Sequence, residues 1–459
     1  MTAVDVFGYA GLLVALVALI ALAMRGVDII FAALFSSLIV IISNGLPLAT
    51  ALNDYFAFGK LGAFTFAGSF FLLFAAGAMF GRTMGDSQAA TSIAQALSAK
   101  LGARHALTIT VLATGLLTYG GIVVFVVIFA VYPLGIKLIQ QANIPKRLFC
   151  GALALGAGTF TLTALPGTPS IHNVISSVNL GTSLFAGAGY GLLAGAIMLL
   201  VGLWYLERQR VAAAAAGESF VAGPMDSKIV GNDQTLHTPA WGLALLPLVA
   251  VIGLIMLPRL FKGSFEPQSL LGQSLMFANS QPLLWPSLAL MAGTALALLL
   301  FPSVRSKPLQ TIGDGTRDSI MPLINTAAVI GFGGVVVQTA GFGAFSQGLL
   351  NLDMPPLLSM FLSVSTLSAI TGSASGGLQI FMSSMADNYL ALGIPVETLH
   401  RIATIASGGF DSLPHCGAVV AMLTITGLSH RQAYKDVAVV TVVIPVVATL
   451  VCLAIAAAV

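Results

Sequence analysis

Asp411, Ser412 and His415 stand together in one short run, Gly408 to Gly417, which reads GGFDSLPHCG. A second run, Thr163 to Asn173, reads TALPGTPSIHN and carries Thr163, Gly167, Thr168, Ser170, His172 and Asn173. A carboxylate, two histidines, several hydroxyls and a carboxamide are a set for binding a small anion and moving a proton or cation. Histidine titrates near neutrality and relays protons. The prolines add a second kind of chemistry, because each removes an amide donor and clashes with the turn before it. The backbone beside them is therefore opened. Exposed amides at a half-helix N-terminus attract anions, and carbonyls at a half-helix C-terminus suit cations. Bland roles are available too: each hydroxyl can bond back to its own helix, each histidine can donate to a carbonyl, and Asp411 can cap the half-helix that follows it.

The elements that must position these groups are membrane spans. Of 459 residues, 57% are hydrophobic and 8% charged, where an ordinary soluble chain has about a quarter charged. The chain reads as an all-α polytopic membrane protein. Full spans are expected near 6–24, 27–44, 62–82, 183–205, 241–257, 284–302, 318–340 and 437–458, each close to the roughly 20 residues that cross a bilayer. The run Val6 to Met24 has Asp5 and no lysine or arginine in its N-terminal flank, and no small-residue cleavage site follows, so it is expected to be retained. Two further spans, 147–178 and 399–427, hold the proline breaks, and such breaks survive in lipid only beside protein or a water-filled cavity.

Two other apolar segments are cut in the middle. His105 to Leu134 is cut at Thr118, Tyr119, Gly120 and Gly121; Pro355 to Leu392 is cut at 371–377, which includes Ser373, Ser375, Gly376 and Gly377. Arms that short cross about half a membrane, so both are expected to be re-entrant hairpins with polar tips at the midplane. Each half then has the same order: three spans, an amphipathic connector (84–102 and 342–352), a hairpin, a broken span and a last span. Five crossings per half make two inverted repeats, 1–205 and 241–459, joined by a linker at 206–240. Paired interrupted segments in two halves point to a transporter's substrate site.

With both termini placed outside, the charges follow. Lys60, Arg259, Lys262 and Arg401 fall outside, and the other fifteen of the nineteen lysines and arginines fall on the cytoplasmic side. Neither broken element is credited with a basic residue for an anion, so amides and hydroxyls are expected to hold it. Asp411, at membrane depth, is the coupling residue by default, with His172 or His415 beside it. His105, His237, His400 and His430 read as bland. The three cysteines lack ligand spacing. No cofactor, metal or nucleic acid is expected. No phosphate loop with lysine is present, and in Gly372–Gly376, GSASG, the middle residue is alanine, so no nucleophile elbow stands there. The run Gly331 to Gly334 reads as close helix packing.

TALPGTPSIHNVI (163–175) and ASGGFDSLPHCGAVVAMLTITGLSHRQAYKDV (406–437) resemble the gluconate permease (GntP) family of the ion transporter superfamily. The resemblance implies a proton-coupled secondary carrier of small hydroxylated carboxylates in a bacterial inner membrane, working as a homodimer with an elevator-type moving domain. The breaks differ from gluconate-type members, whose first is richer in proline and histidine and whose second carries an asparagine–aspartate pair. They are more similar to the branch associated with short hydroxy acids such as 3-hydroxybutyrate. A gluconate or other sugar-acid carrier, or a sodium-coupled one, is the alternative.

Overall fold

The computed structural model describes residues 3–122, 124–223, 226, 238–261, 265–266 and 268–458, and among them no strand occurs. Lys228, His237, Lys262 and the linker residues 224–225 and 227–237 lie outside the described residues.

The first half runs α1 (Ala3–Met24), α2 (Ile29–Ser43), α3 (Ala63–Asp86) and the connector α4 (Ala89–Leu101). A hairpin follows, α5 (Ala106–Tyr119) and α6 (Val124–Gln141), then the broken pair α7 (Lys146–Gly158) and α8 (Ile171–Leu180), then α9 (Ala188–Ala215). The second half runs α10 (Trp241–Leu260), α11 (Leu270–Ser280), α12 (Leu284–Leu300), α13 (Pro308–Val336) and the connector α14 (Ala340–Leu350). Its hairpin is α15 (Pro356–Thr371) and α16 (Ala374–Ser384), and its broken pair is α17 (Val396–Ser407) and α18 (Gly417–Thr426). The chain ends in α19 (His430–Ala438) and α20 (Ile444–Ala458). The helix α11 is an element the sequence did not lead one to expect, as are the shorter helical segments Ala51–Ala57 and Ala386–Ala391. Helix α11 meets α12 at a bend of 108°, at Gln281 and Pro282. Among the described residues, seven helices are long and apolar enough to cross a membrane, or eight if that bent pair is one span.

Packing repeats the order with the halves exchanged. The partner helices α3 and α13 lie against each other; α2 packs on α13 as α12 packs on α3; α1 packs on α14 as α10 packs on α4; and α9 packs on α20. Side chains such as Phe31, Phe35, Leu200, Trp204, Leu246 and Ile455 are exposed, as a lipid-facing surface requires. The Gly331 run is a close approach. A Cβ on Gly331 would lie 2.6 Å from the Phe56 carbonyl oxygen. Backbone cannot give way like a side-chain tip, so Gly331→Val is expected to cost about 1–3 kcal/mol, read as a lower thermal midpoint of the detergent-solubilised protein.

At one end of the bundle, the described part of the linker is pinned to the helices. Asp226, with no exposed surface, accepts from Lys146 Nζ and Tyr132 Oη at 2.6 Å each and from the Gly223 amide at 2.6 Å. Arg147 bridges Glu218 at 2.8 Å and Asp436 at 2.5 Å, and Tyr205 donates to Asp436 at 2.9 Å. Burial alone would raise the Asp226 carboxyl, but the Lys146 ammonium, the Tyr132 hydroxyl and the Gly223 amide hold it below its ordinary value.

Candidate functional site

The first break is built by its prolines. After α7 the chain widens into one further helical turn, Phe160–Ala164, then goes extended at Leu165. Pro166 and Pro169 offer no amide. Gly167, at φ +79°, turns the chain back so that its N–H donates to Leu184 O at 3.0 Å. Ser170 then caps α8: its Oγ accepts from the Asn173 amide at 3.3 Å and donates to Leu162 O at 2.7 Å.

The first hairpin tip seats on this break. Tyr119 Oη donates to Pro166 O at 3.0 Å, and Thr168 Oγ1 donates to Tyr119 O at 3.2 Å. Gly120 and Gly121 leave room for Leu248 and for Pro169, which a Cβ would meet at 2.3 and 2.7 Å. The second tip seats on the second break in the same way. His415 Nε2 donates to Ala369 O at 2.9 Å, and Gly372, at φ +57°, lies against its ring. Ser365 Oγ donates to Ala406 O at 3.1 Å. The breaks also touch one another, since a Cβ on Gly408 would lie 2.7 Å from Thr163 Oγ1. All four interruptions are thus adjacent.

Not every polar group there is open to a ligand. Asn173 is fully buried, and its Nδ2 donates to Thr168 O and Leu184 O at 2.9 and 3.0 Å. That fixes the amide, so Oδ1 accepts from His400 Nε2 at 2.9 Å, and His400 Nδ1 in turn accepts from Thr182 Oγ1 at 2.6 Å. Asn173 is a lock between the broken spans. Thr163 bonds back to Thr159 O at 3.3 Å. Ser373 caps α16 through the Gly376 amide at 3.2 Å, with Ser375 Oγ 3.2 Å away. Gly377 is a crossing point, with Ser368 Cα 2.4 Å from where its Cβ would be.

Two groups are differently placed. His172 is buried with Nδ1 unpartnered. It lines a cavity of about 110 Å³ with Thr118, Gly121, Ser170, Phe74 and Leu290, between the first break and helices α3 and α12. The residues at the N-terminus of α8, Ser170, Ile171 and His172, form one wall of the same cavity. Asp411 Oδ1 accepts only from neutral donors, the Gly409 amide at 2.8 Å and Ser412 Oγ at 3.1 Å. Beside it, Ser412 O accepts from Tyr434 Oη at 3.0 Å and Pro414 O from His430 Nε2 at 2.8 Å. Among the described residues no three histidine, cysteine or carboxylate side chains gather as a metal site.

The structure corrects one sequence expectation outright. Arg401 was placed with the outer charges, and the broken elements were credited with no basic residue. Arg401 instead has no exposed surface, and its guanidinium donates to Ala186 O, Ala164 O and Leu184 O at 2.9, 3.2 and 2.9 Å. An arginine inside the first arm of a broken span was the available signal. His400 and His430, read as bland, both hold the breaks.

The sequence profile described as GntP family permease matches residues 9–459. A Bacillus subtilis protein named as an uncharacterized transporter, YxjC, is 37% identical over 397 residues, covering 82% of this chain and 83% of that one. A Haemophilus influenzae uncharacterized transporter is 24% identical over 358 residues, covering 75% and 74%. The crystal structure of the Alcanivorax borkumensis YdaH transporter, described as having an unusual topology, superposes with a TM-score of 0.53 at 14% identity, covering 85% and 86%. The last is a likeness of fold alone.

Proposed function

Because this chain belongs to the GntP family of permeases, a family of transporters and not enzymes, we propose that it is a secondary active carrier of a small hydroxy-monocarboxylate, such as 3-hydroxybutyrate, moved with a proton across a bacterial inner membrane. The observation that carries this reading is the cavity at the α8 N-terminus. An anion there lies at the positive end of α8, beside Ser170 and His172, whose Nδ1 has no partner among the described residues. Its volume of about 110 Å³ favours a short acid over a six-carbon sugar acid. Asp411 takes the proton, because among the described residues no cation pairs with its carboxylate and neutral donors hold it in place.

In this reading the halves are inverted repeats with both termini outside. The hairpins, the broken spans, α9 and α20 move as one body against α1–α3, α10, α12 and α13, in a homodimer. Protonation removes the charge of Asp411, the α8 N-terminus holds the charge of the substrate carboxylate, and only the body that carries both proton and substrate crosses the apolar barrier.

The test is uptake of labelled 3-hydroxybutyrate into proteoliposomes under an imposed pH gradient. Uptake that survives replacement of sodium and is untouched by excess gluconate is the expected result. Strong competition by gluconate moves the substrate to sugar acids, and loss without sodium moves the coupling ion. Uptake without saturation or counterflow would make the protein a pore. Within the cavity, His172→Ala is expected to raise the substrate concentration for half-maximal uptake about tenfold, worth ~1.4 kcal/mol. The stability cost should be one of packing alone, because Nδ1 has no partner among the described residues.

A further inference from the structure

The matching dipeptides Leu165-Pro166 and Leu413-Pro414 put the two breaks in register. Ala164 then corresponds to Ser412, Pro166 to Pro414 and Thr163 to Asp411. The carbonyls at corresponding positions are engaged in the same order but by different chemistry. Pro166 O accepts from Tyr119 and Pro414 O from His430. Ser412 O accepts from the neutral Tyr434 hydroxyl, while Ala164 O accepts from the Arg401 guanidinium. Where the second break has a carboxylate, the first has Thr163.

Arg401 is an unusual buried charge. Its three hydrogen bonds all go to backbone carbonyls, and among the described residues no carboxylate pairs with it. A charge without a counter-ion is costly to bury. Here the compensation is the negative end of a helix, since Ala164 closes the turn that continues α7. That is the environment in which broken helices of carriers bind a coupling cation.

We propose that Arg401 is a resident monovalent cation occupying the first of two related carbonyl clusters, so that the carrier takes up a single coupling ion per cycle, at Asp411. This rests on the carrier reading above. The guanidinium makes the first break permanently loaded, and only the second break, with its own carboxylate, exchanges a cation with solution.

The first arm of the test needs no transport substrate. The full-length chain and its Arg401→Ala, Arg401→Gln and Arg401→Lys variants are purified in detergent and melted with increasing methylguanidinium, with choline as control. The proposal expects Arg401→Lys, which keeps the charge, to melt above Arg401→Gln. It expects methylguanidinium, and not choline, to raise the melting temperature of Arg401→Ala saturably while leaving the wild type unmoved. A glutamine variant as stable as wild type, or a folded alanine variant indifferent to methylguanidinium, overturns it. If the alanine variant is not recovered folded, the lysine-above-glutamine order decides.

The second arm reads stoichiometry. One proton with one monoanion is electroneutral, so an inside-negative potassium–valinomycin potential should leave 3-hydroxybutyrate accumulation unchanged. Two cations would raise accumulation about fiftyfold per ~100 mV, which overturns the single-ion claim. Absence of any uptake counts against the substrate reading alone, and the melting arm still decides Arg401.

Discussion

Asp411→Asn is expected to lower pH-gradient-driven uptake at least ~100-fold, a barrier of about 2.7 kcal/mol, while leaving substrate counterflow largely intact. The argument rests on what the substitution preserves. Asparagine keeps an oxygen to accept from the Gly409 amide and Ser412 Oγ, now 2.8 and 3.1 Å from Oδ1. No ion pair of Asp411 with a described residue is broken, so the second break should keep its shape. What is lost is the ability to alternate between charged and neutral. The variant is fixed in a neutral, proton-loaded likeness. It can carry substrate in either direction when substrate stands on both sides, but a proton gradient no longer biases the cycle. Asp411→Glu should retain the coupling and lose rate, since the carboxylate is displaced by one methylene from its two donors. Full gradient-driven uptake by Asp411→Asn would remove Asp411 from the coupling role and direct attention to His172.

The overall plan was legible because its signals are local. Prolines, glycines and capping residues mark helix ends within a few positions. Leu165-Pro166 and Leu413-Pro414 disclose the matching breaks, and Ser170 and Ser373 cap the helices after the first break and the second hairpin tip. The bent helix α11 was missed because it is short and half polar, with Gln273, Ser274 and Asn279 in one run. The site was only partly legible, because its decisive contacts join residues far apart in the chain. Asn173 looks like a ligand for substrate until His400, 227 positions away, is found on its oxygen. Arg401 looks like a flanking charge because His400 and Glu397 stand near it, yet its partners are carbonyls at 164, 184 and 186. Such pairing leaves no mark in spacing. The unpartnered nitrogen of His172 was likewise invisible, since the residue type says only that it can titrate.

The linker supplies the other large expected effect. Asp226→Ala should destabilise the protein by roughly 3–5 kcal/mol, because it leaves the Lys146 ammonium buried without a partner. Both side chains of that pair are almost wholly out of solvent, at 5% and 0% exposure, and their N–O separation is 2.6 Å. Lys146→Met should cost a comparable amount by stranding the carboxylate, although Tyr132 and the Gly223 amide would still hold it. The double variant Lys146→Met, Asp226→Leu should cost far less than the two singles added together, since neither charge is then buried. The same carboxylate gives a pH dependence of known sign. Its folded-state value lies below the ordinary 3.8, so its contribution is fully present above the unfolded value and is lost as pH falls through the lower, folded one. Melting of the wild type should therefore weaken below about pH 4 more steeply than melting of the double variant. Strict additivity of the single costs, or identical acid limbs for the two proteins, would show that Asp226 is not what fastens the linker to α6 and α7.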